Sequence, residues 1–135
     1  MPAPPEFRTE EVAIGRAAMV SLHGELDIRW ESRVAASFDR ALDWNPIALA
    51  ADLRGLTFMD STGVHALINA EARCRRQGTR FFIIRGSVAI DRVLSVLGLD
   101  RVFEIIAGPE HLPGDSTVGA ATGSSSLPGR AIGGW

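Results

Sequence analysis

Between two apolar runs, residues 56–68 read LTFMDSTGVHALI, and they place a carboxylate, two hydroxyls and a glycine side by side. Three kinds of chemistry fit Asp60, Ser61, Thr62 and Gly63. The plainest is a helix start, with the Asp60 side chain accepting a hydrogen bond from an orphan backbone N–H of the first turn. The second is a catalytic serine with His65 as its base four residues on. That reading lacks a Gly-x-Ser-x-Gly elbow and an orienting carboxylate at an informative spacing. The third is a place where phosphate is added, because first-turn N–H groups and the helix dipole both favour an anion. Capping alone does not account for Gly63, which costs about 1 kcal/mol against alanine inside a helix. Small side chains there also leave the helix start open, as close access by another molecule would require.

Other chemistries find less support. His23, His65 and His111 show no ligand spacing, so no metal site is expected, and no cofactor is implied. Cys74 is the single cysteine, which excludes an internal disulfide and fits a reducing cytosol. Neither GTR nor RGSV supplies the Gly-x4-Gly-Lys frame of a phosphate-binding loop. The formal net charge of −2 favours neither nucleic acid nor an anionic membrane surface. The opening MPAPPEFRTEE lacks the basic and apolar regions of a secretory signal, and no apolar run is long enough to span a bilayer. A cytoplasmic protein is expected.

The elements that must position the motif follow from hydrophobic period. With 135 residues and 46% apolar content, the chain is expected to form one domain with its own core. Residues 1–6 are Pro-rich and read as a flexible leader. Val12 and Ile14 carry a first strand, Gly15 marks a turn, and Ala18, Val20 and Leu22 alternate along a second strand. Trp30, Val34, Phe38 and Ala41 recur at helical spacing, predicting a helix to about Asp43 that Asn45-Pro46 ends. IALAADL reads as a central strand covered on both faces. A second helix starts at the motif, with Val64, Leu67 and Ile68 as its apolar set, and stops near Gly78. TRFFIIRG is another buried strand. Ser87 caps a third helix carrying Ile90, Val93, Leu94 and Leu97 on one face, and RVFEII closes the series at a sheet edge. Residues 109–135 are rich in Gly, Ser, Ala and Pro and read as a disordered tail, unable to offset about 1–2 kcal/mol of ordering per residue. Strands alternating with helices imply an α/β layer with mainly parallel central strands.

Three stretches in order carry a family resemblance: HGELD at 23–27, ADLRGLTFMDSTGVHALI at 51–68 and SVAIDRVLSVLGLDRVFEI at 87–105. Together they resemble the bacterial anti-sigma factor antagonists, the STAS domain, over about residues 12–106, within a domain expected at 7–108. The resemblance implies a STAS fold: a small mixed sheet of about four to five strands with three main helices mostly on one face. It implies a binding module rather than an enzyme. The unmodified form binds an anti-sigma factor, a serine kinase with a histidine-kinase-like ATPase fold, and so frees a sigma factor. Phosphorylation at Ser61 ends that binding and a metal-dependent serine phosphatase restores it. Asp60, Thr62 and Gly63 match the neighbouring motif positions of the partner surface, and Asp27 matches a family position near it, standing either as a partner contact or as a plain cap at a strand-to-helix turn. A weak homodimer is a further expectation, with no direct role for nucleic acid or membrane. His65 departs from the small residue that relatives carry, and stands either as a plain exposed side chain or as a partner contact. The rival within this fold is a non-switching scaffold subunit of a signalling or lipid-transport complex.

Overall fold

The computed structural model describes residues 7–114. The expected leader and residues 115–135 of the expected tail lie outside them. Strands β1 (Arg8–Ile14) and β2 (Ala17–Leu26) form an antiparallel hairpin. Its turn uses Gly15 at φ 59°, a left-handed angle that glycine adopts without a Cβ clash. Strands β3 (Ala48–Met59), β4 (Arg80–Ile84) and β5 (Glu104–Ile106) then add in parallel, giving one five-stranded sheet in the order β1-β2-β3-β4-β5. Helices α1 (Glu31–Leu42), α2 (Ser61–Gln77) and α3 (Val88–Val96) make the three crossovers.

All three helices bury their apolar sides on one face of the sheet. Val34 and Phe38 of α1, Leu67 and Cys74 of α2, and Ile90 and Leu94 of α3 join Leu22, Leu49, Leu53 and Ile83 in a single cluster. The run at β3 is explained by its two covered faces. Leu49, Ala51 and Leu53 face the helices, while Ala48 and Ala50 join Met19, Phe82 and Ile84 on the other side. Chain beyond residue 108, read from composition as tail, helps cover that second face. Pro109–His111 form a short 3-10 turn, and Leu112 packs onto the second cluster. The receiving surface is Ile47 and the strand residues around it, which no local composition reveals.

Helix α1 ends where Asn45-Pro46 was expected to stop it, with Asp43 as its last helical cap and Asn45 leaving helical angles for a left-handed φ of 58°, a region Asn tolerates. Two local expectations change. Ile68, placed in the buried set of α2, is 42% exposed, and the buried stripe runs Gly63, Val64, Leu67, Ala70, Cys74 instead. Leu97, assigned to the inner face of α3, is 55% exposed, whereas Ile90 and Leu94 carry that face.

Candidate functional site

Parallel pairing of β2 with β3 puts Leu26 beside Met59. The residue after each strand is an aspartate, so Asp27 and Asp60 emerge together at the carboxyl end of the sheet. The Asp60 N–H donates to Leu26 O at 3.4 Å. Each carboxylate caps the helical turn that follows it. Asp60 accepts from the Thr62 N–H at 2.8 Å at the start of α2. Asp27 accepts from the Arg29 N–H at 3.0 Å at the start of a 3-10 turn, Ile28–Trp30. The Arg29 guanidinium also grips Asp27, with contacts of 3.1 and 2.9 Å. That hydrogen bonding holds the Asp27 carboxyl below the usual carboxylate range and raises Arg29. The two caps therefore differ: Asp27 carries a bound cation, and the described structure gives Asp60 none.

Ser61 is the first residue of α2 and is exposed. Thr62 is half-buried, Gly63 is buried and His65 is exposed. Ser61, His65 and Ile68 thus follow one another along the outward side of α2 at i, i+4 and i+7. The site residues read from the sequence are together at one end of the fold, with unequal access. Gly63 faces inward: a Cβ there would stand 2.2 Å from Met59 Cγ and 3.1 Å from Leu26 Cδ2. The glycine lets α2 seat closely on the ends of β2 and β3, so the bareness of the helix start has a packing cause.

Three large apolar side chains near the motif are exposed: Ile28 and Phe58, which the sequence reading did not single out, and Ile68, which it placed inside. Ile28 is 71% exposed, directly after Asp27, and Phe58 is 48% exposed, two residues before Asp60. Ile68 lies two turns along α2. The signal was present in principle, since Ile28 and Phe58 both flank polar turns, but single apolar residues at strand ends are common on surfaces. The other notable aromatic, Trp30, is half-buried and stacks on Phe7 with ring centroids 5.8 Å apart. Phe38 is core at 1% exposure.

Chemically, the arrangement presents one accessible hydroxyl at a helix N-terminus, next to a capping carboxylate and among exposed apolar residues. Among the described residues no group of three or more His, Cys, Asp or Glu could hold a metal ion. None of their helices is long and apolar enough to cross a membrane.

Comparison with known proteins agrees with this architecture. Over 108 residues the chain is 27% identical to the anti-sigma-F factor antagonist RsfB of Mycobacterium tuberculosis, covering 79% of this chain and 87% of that protein. An anti-sigma factor antagonist from Mycobacterium paratuberculosis superposes with a TM-score of 0.72 at 22% identity, over 82% of this chain and 93% of the other. The Bacillus cell fate determinant SpoIIAA in its phosphorylated form superposes with a TM-score of 0.58 at 22% identity, over 78% and 95% of the two chains. The family model for the STAS domain matches residues 9–112, and with the sheet order and helix placement described above, the chain belongs to the STAS domain family.

Proposed function

We propose that this protein is an anti-sigma factor antagonist that switches partners through Ser61. Unmodified, it binds an anti-sigma factor kinase in the cytoplasm and releases a sigma factor. Phosphorylated at Ser61, it lets go, and a serine phosphatase resets it. The observation that carries the reading is the exposure of Ser61 at the first position of α2. A kinase active site can reach this hydroxyl without the domain unfolding. In the transfer, Ser61 Oγ attacks the γ-phosphorus of the kinase's ATP, the bond to the β-phosphate oxygen breaks, ADP leaves and the hydroxyl proton goes to a base on the kinase. The protein is substrate and ligand, and the kinase supplies the catalysis. The naming of RsfB and the phosphorylated state of SpoIIAA are in keeping with this role.

The energetics favour an effect on binding over one on folding. Phosphate adds about −1.5 to −2 charges at neutral pH. Its gain from the dipole of α2 is about 0.3–1 kcal/mol, small beside a domain stability of about 5–15 kcal/mol. A partner seated on a neutral hydroxyl, with Ile28, Phe58 and Ile68 excluding water around it, instead meets two adjacent acidic groups at Asp60 and residue 61. Like-charge contact of that kind costs several kcal/mol. About 3–4 kcal/mol is a few-hundredfold loss of affinity at 1.4 kcal/mol per tenfold.

The test uses the cognate kinase, with ATP for label transfer and without it for affinity. Label should enter wild type and not Ser61→Ala. Ser61→Asp should bind a few-hundredfold more weakly while melting at the same temperature. Equal binding by Ser61→Asp and wild type, or no label in wild type, would leave a non-switching scaffold as the better account.

A further inference from the structure

The head of α2 has few free donors for an anion. A helix start ordinarily offers its first N–H groups to one. Here the three N–H groups after Ser61 are taken by Asp60. That of Thr62 donates to its carboxylate at 2.8 Å, and those of Gly63 and Val64 donate to its carbonyl at 3.0 and 3.3 Å. A phosphate on Ser61 therefore stands beside a carboxylate and must draw on side chains for hydrogen bonds and positive charge. Arg29 lies at this end but is engaged, its guanidinium donating to both oxygens of Asp27 at 3.1 and 2.9 Å. The His65 imidazole is exposed and has no hydrogen-bond or ion-pair partner among the described residues. Its exposed neighbours along α2, Ile68 and Asn69, carry no charge.

We propose that His65 is the cationic partner of the phosphate on Ser61, a role it has only when Ser61 is modified. The inference rests on Ser61 being the modified residue, as proposed above. Residues i and i+4 of a helix stand with Cβ atoms about 5–6 Å apart. Helical side chains lean toward the helix start, so the imidazole of His65 reaches back over the turn that carries Ser61. An imidazole changes charge between about pH 5 and 8, and a serine phosphate gains its second negative charge near about pH 6. In that shared range the imidazolium donates an N–H to a phosphate oxygen, a charge-assisted bond. The dianion gains more from it than the monoanion does. The phosphate therefore keeps its second charge to lower pH, and with it the repulsion that ends partner binding. An exposed pair at this spacing is weak, so it tunes the switch rather than making it.

Phosphoserine is installed at position 61 of the full chain by genetic encoding, so that no kinase is needed, and ³¹P NMR follows its ionisation against pH. The midpoint for His65→Gln should lie about 0.2–0.4 pH units above that of the parent chain, the worth of one i,i+4 charge pair. His65→Arg should bring it back to the parent value or below, a rescue that an imidazole with only a structural role would not show. Arg29→Gln should move it less, because Arg29 is held by Asp27. His65 and Arg29 are exposed, so these variants keep the fold, and equal melting temperatures check it. An unchanged midpoint in His65→Gln, no rescue by His65→Arg, or a larger effect from Arg29→Gln would overturn the proposal. The kinase assay above reads the partner switch separately: its failure sinks that reading, whereas an unchanged midpoint sinks only the pairing.

Discussion

Replacing Gly63 with alanine sets two effects against each other, and the structure predicts which wins. Alanine is the better helix former by up to about 1 kcal/mol, and from that alone the variant should be more stable. The new methyl, however, would lie 2.2 Å from Met59 Cγ, 2.8 Å from Met59 Sδ and 3.1 Å from Leu26 Cδ2. Carbon atoms rest at about 3.5–4.0 Å, so Met59 must move by more than an ångström. It is 4% exposed and has no solvent to swing into. Overpacking of this kind costs about 1–3 kcal/mol. The net expectation is a loss of about 1–2 kcal/mol. At about 4–8 °C per kcal/mol for a domain of this size, Tm should drop by roughly 5–15 °C. Urea and thermal unfolding of Gly63→Ala measure it directly. The same change in a Met59→Ala background, where the obstructing atoms are gone, should be neutral or mildly stabilising, a coupling that a double-mutant cycle isolates. A single Gly63→Ala variant as stable as wild type would refute the reasoning, because it would mean that α2 does not need a bare Cα to seat on Leu26 and Met59.

Further expectations concern the caps, the interior carboxylate and the thiol. Asp60→Ala should cost about 1 kcal/mol through the lost bond to the Thr62 N–H, whereas Ser61→Ala should stay within about 0.5 kcal/mol of wild type; denaturant midpoints of the two separate cap from modification site. Burial pushes the Asp52 carboxyl up, but bonds from the Arg54 side chain and backbone and from Ser21 outweigh it, leaving the group below its ordinary value. A lowered folded pKa stabilises the fold above the unfolded value of about 3.9 and ceases to do so as pH falls through the folded one. Asp52→Asn should therefore lose about 1–3 kcal/mol at neutral pH, and its deficit should shrink in acid below about pH 4, as unfolding curves at stepped pH would reveal. Cys74 is fully buried and its thiol is pushed up to about 12. Reaction with a chromogenic disulfide should accordingly track unfolding, with negligible rate in the native protein.

The Asp60 and Ser87 caps and the Gly78 stop act within one turn of chain. The structure bears them out, with Thr62 N–H on Asp60, Ile90 N–H on Ser87, and Gly78 at φ 81°. The order of strands and helices was legible for the same reason, since periods of two and 3.6 are properties of neighbouring residues. Which side of a helix ends up inside was less legible. Periodicity finds a stripe, but the docking angle decides its centre, and so Ile68 and Leu97 changed sides. The cause of Gly63 was hidden too, because it is a clash with Met59 and Leu26, brought together by strand pairing.

Read alone, the chain specifies its elements, its caps and the hydroxyl at the head of α2, all set by short-range rotamer, hydrogen-bond and period rules. Tertiary structure decided the rest. It set Asp27 beside Asp60 through the Leu26–Met59 register, left Ile28, Phe58 and the outer face of α3 uncovered, and laid Leu112 over the second sheet face. These depend on contacts between segments far apart in the chain. Their energies arise only when the sheet is assembled, so no local pattern encodes them.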